Sequence, residues 1–325
     1  MPNLALIGAG RIGAIHGSNV AADPKLTLTA IVDPNRDAAD ALARATGAVV
    51  CSLETVLADP QVEGVIIASP TGDHLDQVRR CAAAGKAILC EKPVDLDLAR
   101  ARSAAMALKG ARLLIGFNRR FDPRFAALKA AIDAREFGLA ESLHITSHDP
   151  AAPPRAYVAA SGGLFKDMAI HDFDMARWLL GEEFCQVFAA GACLVDASIG
   201  EAGDVDTAKT LLRSASGRLC AISNSRRSGY GYDQRIEAFG SAGMLRVGNL
   251  RRSAVERWGD GGAFAAPPES FFLDRYRDAY RLELAHFAQV LEGVSPKIGY
   301  ADAVAALALA EAAQRSAATG LAVRL

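Results

Sequence analysis

The chain has 325 residues, of which 51% are apolar and 22% charged, and its formal net charge is -1. This length is long for a single ordinary domain, so we expect two domains. The near-neutral charge argues against a nucleic-acid partner or an anionic membrane surface, no apolar run approaches the ~20 residues that span a bilayer, and no signal-peptide pattern opens the chain. We therefore expect a cytoplasmic protein with no nucleic-acid or membrane partner.

Two other features of the composition give no indication of a special site. The six cysteines lie scattered in apolar runs without a CxxC pair, which predicts buried, reduced thiols rather than a zinc site or a disulfide framework. They are Cys51, Cys81, Cys90, Cys185, Cys193 and Cys220. Arginines adjoin at Arg226 and Arg227 and again at Arg251 and Arg252, and two-residue clusters of this kind are usually solvated strand edges.

The first predicted element is a short apolar strand, residues 4–7, which leads directly into GAGRIG and a helical stretch, residues 11–21. Gly8 permits the tight turn, Gly10 lets a pyrophosphate approach the backbone, and Gly13 lets the helix pack close to its strand. The amides and the dipole at the helix N-terminus favour negative charge there. The pattern therefore predicts a dinucleotide-binding loop.

An aspartate follows the second apolar strand, residues 26–32. Asp33 lies about 20 residues beyond Gly13, the spacing at which a carboxylate hydrogen-bonds the ribose 2′-hydroxyl of a dinucleotide. Because a carboxylate there also repels a 2′-phosphate, we expect NAD rather than NADP as the cofactor. Arg36 is close enough to allow some NADP activity.

Short apolar strands and helical stretches continue to alternate through residue 120. Further strands are expected near Val49 and over 64–68, 87–90 and 112–116, with helices over 37–46, 74–84 and 96–108. Near-continuous apolar strands separated by helices are typical of a parallel sheet covered on both faces. We therefore predict an α/β fold whose N-terminal domain, residues 1–120, is a doubly wound Rossmann domain that binds NAD.

Beyond residue 120 the pattern changes to period-two alternation, which is typical of an antiparallel sheet with one buried face. Strands are expected over 141–149, 207–215, 217–225, 233–241 and 243–249, and helices over 123–135, 165–181 and 300–319. We predict a C-terminal α+β domain over residues 121–325, with a mostly antiparallel open sheet, that binds the substrate. The exposed face of such a sheet would suit self-association.

Lys92 directly follows the strand KAILC, within the sequence EKP. Ligands of open parallel sheets bind at the carboxyl ends of the strands, where a lysine can stabilise a developing alkoxide. Taken alone, an exposed lysine at a strand-to-helix turn is the simpler interpretation. Its position beside the expected nicotinamide favours a catalytic role.

Asp167 and His171 lie four residues apart in the helix predicted over 165–181, so both side chains lie on one face. Histidine can accept a hydroxyl proton near neutral pH, and a carboxylate beside it supports its cationic form. A surface ion pair is the alternative, and Asp172 and Asp174 could be no more than that. A metal site would need a third ligand, and the sequence offers no convincing one. We therefore expect metal-free proton transfer coupled to hydride transfer.

Five separated motifs occur in an order that resembles the Gfo/Idh/MocA oxidoreductases, over essentially the whole chain. They are GAGRIGxxH, EKPV, FNRRFD, GGxFxDMxIHDFDMARW and YGYDxxxE. The resemblance implies an NAD-dependent dehydrogenase that oxidises a secondary hydroxyl of a cyclic polyol, myo-inositol to 2-keto-myo-inositol. A polyol or sugar would be its small-molecule partner. The resemblance also implies a homo-oligomer, either a homotetramer or a homodimer.

The resemblance further implies a set of site residues. Lys92, Asp167 and His171 correspond to the family's catalytic set, with His171 as the acid/base and Lys92 near the reacting oxygen. The residues implied to bind the cofactor are Gly8, Gly10, Arg11, Ile12, Gly13, Asp33, Arg36, Ser69, Pro70, Thr71, His74, Glu91 and Lys92. Those implied to bind the substrate are Lys92, Arg119, His148, Asp167, His171 and Tyr232, with Arg120 also lining the cleft. Residues 69–74 could also be only a helix-starting polar loop, and Pro150 stands where some relatives have a polar residue.

Two alternatives stay open on the sequence. An aldose 1-dehydrogenase, or a dehydrogenase of another inositol isomer, would recognise the same kind of hydroxyl array. A non-catalytic NAD(H)-binding sensor or corepressor would keep the dinucleotide loop. The joint presence of Lys92, Asp167 and His171 argues against a sensor, which has no need of all three.

Overall fold

The computed structural model describes residues 1–325, except for the side chain of Ala159. The chain forms two compact units. The first unit comprises Met1–Phe121 and Ala279–Leu307, and the second comprises Asp122–Asp278 and Ala308–Leu325.

A six-stranded sheet forms the centre of the first unit. Its strands are β1 (Asn3–Ile7), β2 (Thr27–Val32), β3 (Val49–Val50), β4 (Val62–Ile67), β5 (Ala87–Glu91) and β6 (Leu113–Gly116). They are all parallel and lie in the order β3-β2-β1-β4-β5-β6. The chain runs outward in both directions from the β1–β4 pair, which is the topological switch point where doubly wound sheets bind ligands. The predicted Rossmann sheet is confirmed.

Helices follow the strands of this sheet. They are α1 (Arg11–Ala22), α2 (Arg36–Thr46), α3 (Leu53–Ala58), α4 (Thr71–Ala83) and α5 (Leu98–Ala104), and a 3₁₀ turn covers Asn118–Phe121. The Asn35 side chain accepts a hydrogen bond from the Ala38 amide at the start of α2, and Gly47 ends that helix with φ +79°. Both are standard helix-end features that the sequence shows directly. The α5 helix is shorter than the predicted span, because residues 105–110 form turns.

The second unit contains a seven-stranded mixed sheet and a small separate hairpin. The strands are β7 (Ala140–His148), β8 (Phe184–Ala192), β9 (Thr207–Ser214), β10 (Leu219–Ser225), β11 (Asp233–Gly240), β12 (Gly243–Val247), β13 (Glu256–Gly259), β14 (Gly262–Ala265) and β15 (Val323–Arg324). The sheet order is β12-β11-β7-β10-β9-β8-β15, and the hairpin is β13-β14. Only β7 and β10 pair in parallel, so the predicted mostly antiparallel sheet is confirmed.

Helices complete the second unit. They are α6 (Pro123–Asp133), α7 (Arg155–Ser161), α8 (Ile170–Leu180), α9 (Ala197–Glu201) and α10 (Phe272–Arg275). The predicted helix over 165–181 differs from the structure, because Phe165–Ala169 is π-helical and only Ile170–Leu180 is α-helical. Apolar periodicity does not distinguish the two geometries over five residues. Such π-helical segments are frequent at functional sites.

Two longer helices close the chain, α11 (Arg277–Leu291) and α12 (Tyr300–Thr319). Residues Ala279–Leu307 belong to the first unit, whereas the predicted boundary at residue 120 assigned them to the second domain. The reason is local packing, since a Cβ on Gly64 of β4 would lie 2.8 Å from Leu291 and 3.2 Å from Phe287. Helical periodicity shows that a segment is amphipathic but not which sheet it covers.

The exposed surface differs from the sequence interpretation in two respects. Cys185 is exposed, and Cys51 and Cys193 are partly exposed, although buried thiols were predicted. Cys185 lies in β8, where side chains alternate between faces, and Cys51 and Cys193 directly follow strands, so an apolar neighbourhood in sequence did not mean burial. Arg226 is buried instead of solvated.

Among the described helices, none combines the length and apolar character that crossing a membrane requires.

Candidate functional site

The glycine-rich loop follows β1, and two of its glycines are fixed by close backbone packing. Gly8 has φ +98°, and a Cβ there would lie 2.5 Å from the Ala68 carbonyl. A Cβ on Gly13 would lie 1.9 Å from the Gly8 carbonyl oxygen, so α1 can approach the turn only with glycine at this position. A Cβ on Gly10 would meet nothing within 4 Å. The middle glycine thus leaves space open at the N-terminus of α1, where an anionic group is favoured.

Asp33 is hydrogen-bonded to the same loop. Its Oδ2 accepts from the Ala9 amide at 2.6 Å, and its Oδ1 accepts from the Asn35 amide at 2.7 Å. Arg36 begins α2 and points its Nε at Asp40, 3.0 Å away, with 70% of its side chain exposed. The carboxylate is therefore held at the carboxyl ends of β1 and β2, the edge of the sheet where a dinucleotide binds. Arg11 and Ile12 lie in the first turn of α1.

The loops after β4 and β5 are joined by one buried histidine. His74 Nε2 lies 2.8 Å from the Ser69 carbonyl oxygen, and His74 Nδ1 lies 2.8 Å from the Pro93 carbonyl oxygen. Ser69 also donates through its hydroxyl to Gln77 at 2.6 Å. Pro70 and Thr71 lie at the start of α4. His74 thereby ties the loop after β4 to the backbone that directly follows the half-buried Lys92.

Glu91 points its carboxylate into the first unit. Its Oε1 lies 2.7 Å from His16 Nε2, and a Cβ on Gly116 would lie 3.2 Å from Glu91 Oε2. Glu283 is completely buried nearby, and ligand atoms of His16, Glu91 and Glu283 all lie within 4.8 Å of one another. Burial and the negative charge of Glu91 raise the pKa of the Glu283 carboxyl well above its usual value.

Two arginines of the FNRRFD motif lie in the 3₁₀ turn of the first unit. Arg119 is only 4% exposed. Arg120 directs Nη2 to Asp302, 2.9 Å away, near the start of α12. Lys92, Arg119 and Arg120 therefore belong to the first unit together with the predicted cofactor-binding residues, whereas His148, Asp167, His171 and Tyr232 belong to the second.

Asp167 lies in the π-helical segment of the second unit and His171 in the first turn of α8. The Tyr157 hydroxyl donates to Asp167 Oδ1 at 2.9 Å, and both Nη atoms of Arg226 lie 3.4 Å from Asp167 Oδ2. Asp172 is fully buried and accepts a hydrogen bond from Asn224 at 2.7 Å, and Asp174 is 1% exposed. Neither is the surface ion pair that the sequence left open.

His148 and Tyr232 lie at neighbouring strand ends of the same unit. His148 ends β7, where its Nε2 lies 2.8 Å from the Ser223 hydroxyl. Burial lowers the pKa of His148, the positive charges of Lys209 and Arg235 lower it further, and Asp233 opposes them. Tyr232 immediately precedes β11, and its ring packs edge-to-face on Tyr276 with centroids 6.0 Å apart. Because Asp233 pairs with His148 in the sheet register, Tyr232 and His148 lie close in the fold.

Arg226 and Tyr157 contact Asp167 and were missed by the sequence interpretation. Arg226 continues the alternation of β10, in which Cys220, Ile222 and Asn224 are all buried, whereas Arg227 is out of phase and exposed. This period-two phase was the signal that could have found Arg226. Tyr157, in α7, carries no comparable signal.

A doubly wound sheet with a fixed GxGxxG loop, joined to an α+β unit carrying an aspartate and a histidine, defines a dinucleotide-dependent oxidoreductase. Residues 3–118 match the model of the Gfo/Idh/MocA oxidoreductase family with its NAD-binding Rossmann fold, and residues 125–246 match the Gfo/Idh/MocA C-terminal domain. The chain belongs to this family. The predicted family and the predicted NAD-binding domain are both confirmed.

Similar proteins act on inositols. The inositol 2-dehydrogenase of Rhizobium meliloti is 47% identical over 318 residues, covering 96% of each chain. The structure of a myo-inositol dehydrogenase from Corynebacterium glutamicum has a TM-score of 0.95 and 44% identity, covering 100% of this chain and 99% of the other. A scyllo-inositol dehydrogenase from Lactobacillus casei, with bound NAD(H) and scyllo-inositol, has a TM-score of 0.92 and 26% identity, covering 100% and 99%.

Proposed function

We propose that this protein is an NAD-dependent dehydrogenase that oxidises a secondary hydroxyl of a cyclic polyol, myo-inositol to 2-keto-myo-inositol. The observation that carries the proposal is the 47% identity to an inositol 2-dehydrogenase along 96% of both chains. Cofactor binding is assigned to residues 1–120, and substrate binding and oligomerisation to the second unit, Asp122–Asp278 and Ala308–Leu325.

The residues of the first unit fit a dinucleotide. The space above Gly10 and the N-terminus of α1 suit the pyrophosphate, and Asp33 suits a ribose hydroxyl. The other cofactor-binding assignments are Gly8, Arg11, Ile12, Gly13, Arg36, Ser69, Pro70, Thr71, His74, Glu91 and Lys92. Because the Glu91 carboxylate contacts His16, we assign the contact between Glu91 and the cofactor to the Glu91 backbone. When bound, NAD supplies the hydride acceptor at C4 of its nicotinamide.

The residues of the chain handle the proton and the developing charge. His171 accepts the proton of the reacting hydroxyl, and Asp167 supports the imidazolium that forms. Lys92 donates a hydrogen bond to the same oxygen and stabilises its negative charge as the hydride leaves. Arg119, His148 and Tyr232 bind the other hydroxyls of the ring, each of which needs a donor or an acceptor at a fixed position.

The decisive experiment is NADH formation, followed by absorbance, with myo-inositol, scyllo-inositol, glucose and glucose 6-phosphate. We expect myo-inositol to have the highest kcat/KM, and His171→Ala to lower the rate of NADH formation strongly with every substrate. The same assay separates the alternatives. A preference for scyllo-inositol or glucose would change the assigned substrate but not the reaction type. A protein that binds NAD but turns over none of the substrates would favour the sensor or corepressor.

We also propose a cytoplasmic homo-oligomer, tetramer or dimer, assembled through the open face of the second unit's sheet. Phe188 on β8 lies opposite Leu211 on β9, and both are more than two-fifths exposed. Leu219 and Phe239 are exposed as well. Apolar side chains gathered on one surface usually mark an interaction site. Size-exclusion chromatography with light-scattering detection measures the oligomeric state. We expect the wild type to be an oligomer and Leu211→Glu to be a monomer.

A further inference from the structure

We propose that Arg226 is a positioning residue for catalysis, which holds the Asp167 carboxylate by charge from the interior of the second unit. The inference rests on the proposed function, because it matters for turnover only if Asp167 and His171 do the proton chemistry. Arg226 was interpreted from sequence as part of a solvated pair. It is 1% exposed.

A buried guanidinium is costly unless negative charge and hydrogen-bond acceptors surround it. Here two carboxylates do so. Both Nη atoms lie 3.4 Å from Asp167 Oδ2, and Nη2 lies 3.9 Å from Asp204 Oδ2. At 3.4 Å and 3.9 Å attraction between charges dominates over hydrogen bonding, and it reaches both carboxylates because the planar guanidinium fork extends toward each of them.

The second carboxylate holds the beginning of the segment that carries Asp167. The Leu164 amide donates to both Asp204 oxygens, at 3.1 and 3.0 Å. Gly163 has φ +84°, and a Cβ there would lie 2.6 Å from Asp204 Oδ1, so the chain fits closely around this carboxylate. Arg226 therefore links the entry of the π-helical segment, through Asp204, to Asp167 in its middle.

Arg226 is itself held in place by its backbone. Its amide donates to the Asp206 carbonyl oxygen at 2.8 Å. The Asp206 carboxylate accepts from the consecutive amides of Leu194, Val195 and Asp196, which lower its pKa despite burial. The Arg226 backbone is therefore fixed next to the sheet, and its guanidinium contacts Asp167 from this fixed position.

Loss of the guanidinium would leave two neighbouring carboxylates to repel each other. The Tyr157 hydroxyl would still bind Asp167 Oδ1, but this neutral donor supplies no positive charge to offset that repulsion. A displacement of ~1 Å in a catalytic group can lower the rate up to 10²-fold. We therefore expect the effect in kcat and not in the affinity for NAD.

The test compares Arg226→Met with Arg227→Met, which removes the adjacent but exposed arginine. Arg226→Met should lower kcat roughly 10- to 100-fold with KM for myo-inositol changed less, and Arg227→Met should change neither. The primary isotope effect with deuterated myo-inositol should rise in Arg226→Met, because the chemical step slows. If the variant preparation merely contained a smaller fraction of folded enzyme, its isotope effect would equal that of the wild type.

Arg226→Lys covers the case in which the methionine variant does not fold. Lysine keeps the charge, but one ammonium cannot match the fork that faces both carboxylates, so kcat should fall roughly tenfold at unchanged NAD affinity. Wild-type kcat in Arg226→Lys, or in a folded Arg226→Met, would overturn the inference. His171→Ala serves as the parallel control. If His171→Ala also keeps its activity, the proposed function has failed and not the role of Arg226 alone.

Discussion

His16 and Glu91, 75 residues apart in the chain, meet inside the first unit with His16 Nε2 2.7 Å from Glu91 Oε1. Glu283, from α11, completes a buried group with them, and both of its carboxyl oxygens lie without a hydrogen-bond partner among the described residues. Two carboxyl groups in one dry site cannot both ionise cheaply. We infer that Glu283 is the neutral member of the pair.

Glu283→Gln should therefore stabilise the protein at high pH. The folded-state pKa of Glu283 is raised, so folding keeps a proton that the unfolded chain releases above about pH 4.3. The free energy of unfolding of the wild type consequently falls as pH rises from there through the folded pKa. Glutamine does not titrate, so the advantage of the variant should grow from pH 5 to pH 8.

Urea unfolding at the two pH values measures this difference, with Glu292→Gln as an exposed control. A variant less stable than the wild type at pH 8 would mean that Glu283 is charged and paired. Loss of wild-type stability on adding a chelator would point instead to a cation held by the three side chains.

Asp33→Asn should weaken the preference for NAD. The amide keeps the size of the side chain and one acceptor for the loop, but it loses the charge that repels a 2′-phosphate. We expect the ratio of kcat/KM for NAD over NADP to be above one in the wild type and to fall at least about tenfold in the variant, since ~1.4 kcal/mol of lost repulsion suffices. An unchanged ratio would assign the discrimination to another residue.

The elements near the glycine loop could be predicted from sequence because their signals are local. The strand before Gly8, the helix after Gly10 and the aspartate at 33 follow the chain in order, and the structure has each of them within a residue or two. The α11 helix and the strands β8 and β15 were not predicted. Their assignment depends on which sheet they join, which is a long-range property.

The surroundings of Asp167 show where a sequence interpretation stops. The four-residue spacing to His171 was visible, but the π-helical segment, Tyr157 and Arg226 come from the way α7 and β10 fold around it. A charged side chain favours the prediction that a residue is exposed to solvent. Its position in the alternation of a strand can predict instead that it is buried. For Arg226 the phase was the better guide, because two carboxylates compensate its charge.

Lys92→Ala should lower turnover far more than it weakens NAD binding. In the proposed mechanism its ammonium contacts the reacting oxygen, and that contact strengthens as negative charge develops in the transition state. Steady-state kinetics and fluorescence titration with NADH measure the two effects, with the exposed Lys109→Ala as a control. Weak NAD binding with normal turnover at saturation would make Lys92 a cofactor-positioning residue.

His171→Ala should lower kcat for oxidation by roughly 10²- to 10⁴-fold, the usual contribution of a positioned acid/base. Oxidation by the wild type should be faster at alkaline pH, since only the neutral imidazole accepts a proton, and the variant should lose this dependence. His144, exposed on β7, gives the matched control His144→Ala. A near-normal rate and an unchanged pH profile in His171→Ala would rule out the assignment.

Tyr232→Phe should raise KM for myo-inositol while leaving the fold intact. Phenylalanine keeps the edge-to-face contact with Tyr276, so the free energy of unfolding should change little. The hydroxyl is the part proposed to bind the polyol, and loss of one hydrogen bond of about 1 kcal/mol corresponds to roughly a fivefold rise in KM. The affinity for NAD should stay the same.

The substrate dependence of this effect tests the proposed recognition of an uncharged ring. Tyr230→Phe is the control, because the Tyr230 hydroxyl already donates to Asp233 at 2.6 Å. The KM increase in Tyr232→Phe should appear with myo-inositol and be smaller with a substrate that lacks the matching hydroxyl, since neither protein then makes that hydrogen bond. Asp167 should disfavour a phosphate dianion by charge repulsion. A higher kcat/KM for glucose 6-phosphate than for myo-inositol, with no effect of Tyr232→Phe, would contradict recognition of a neutral polyol.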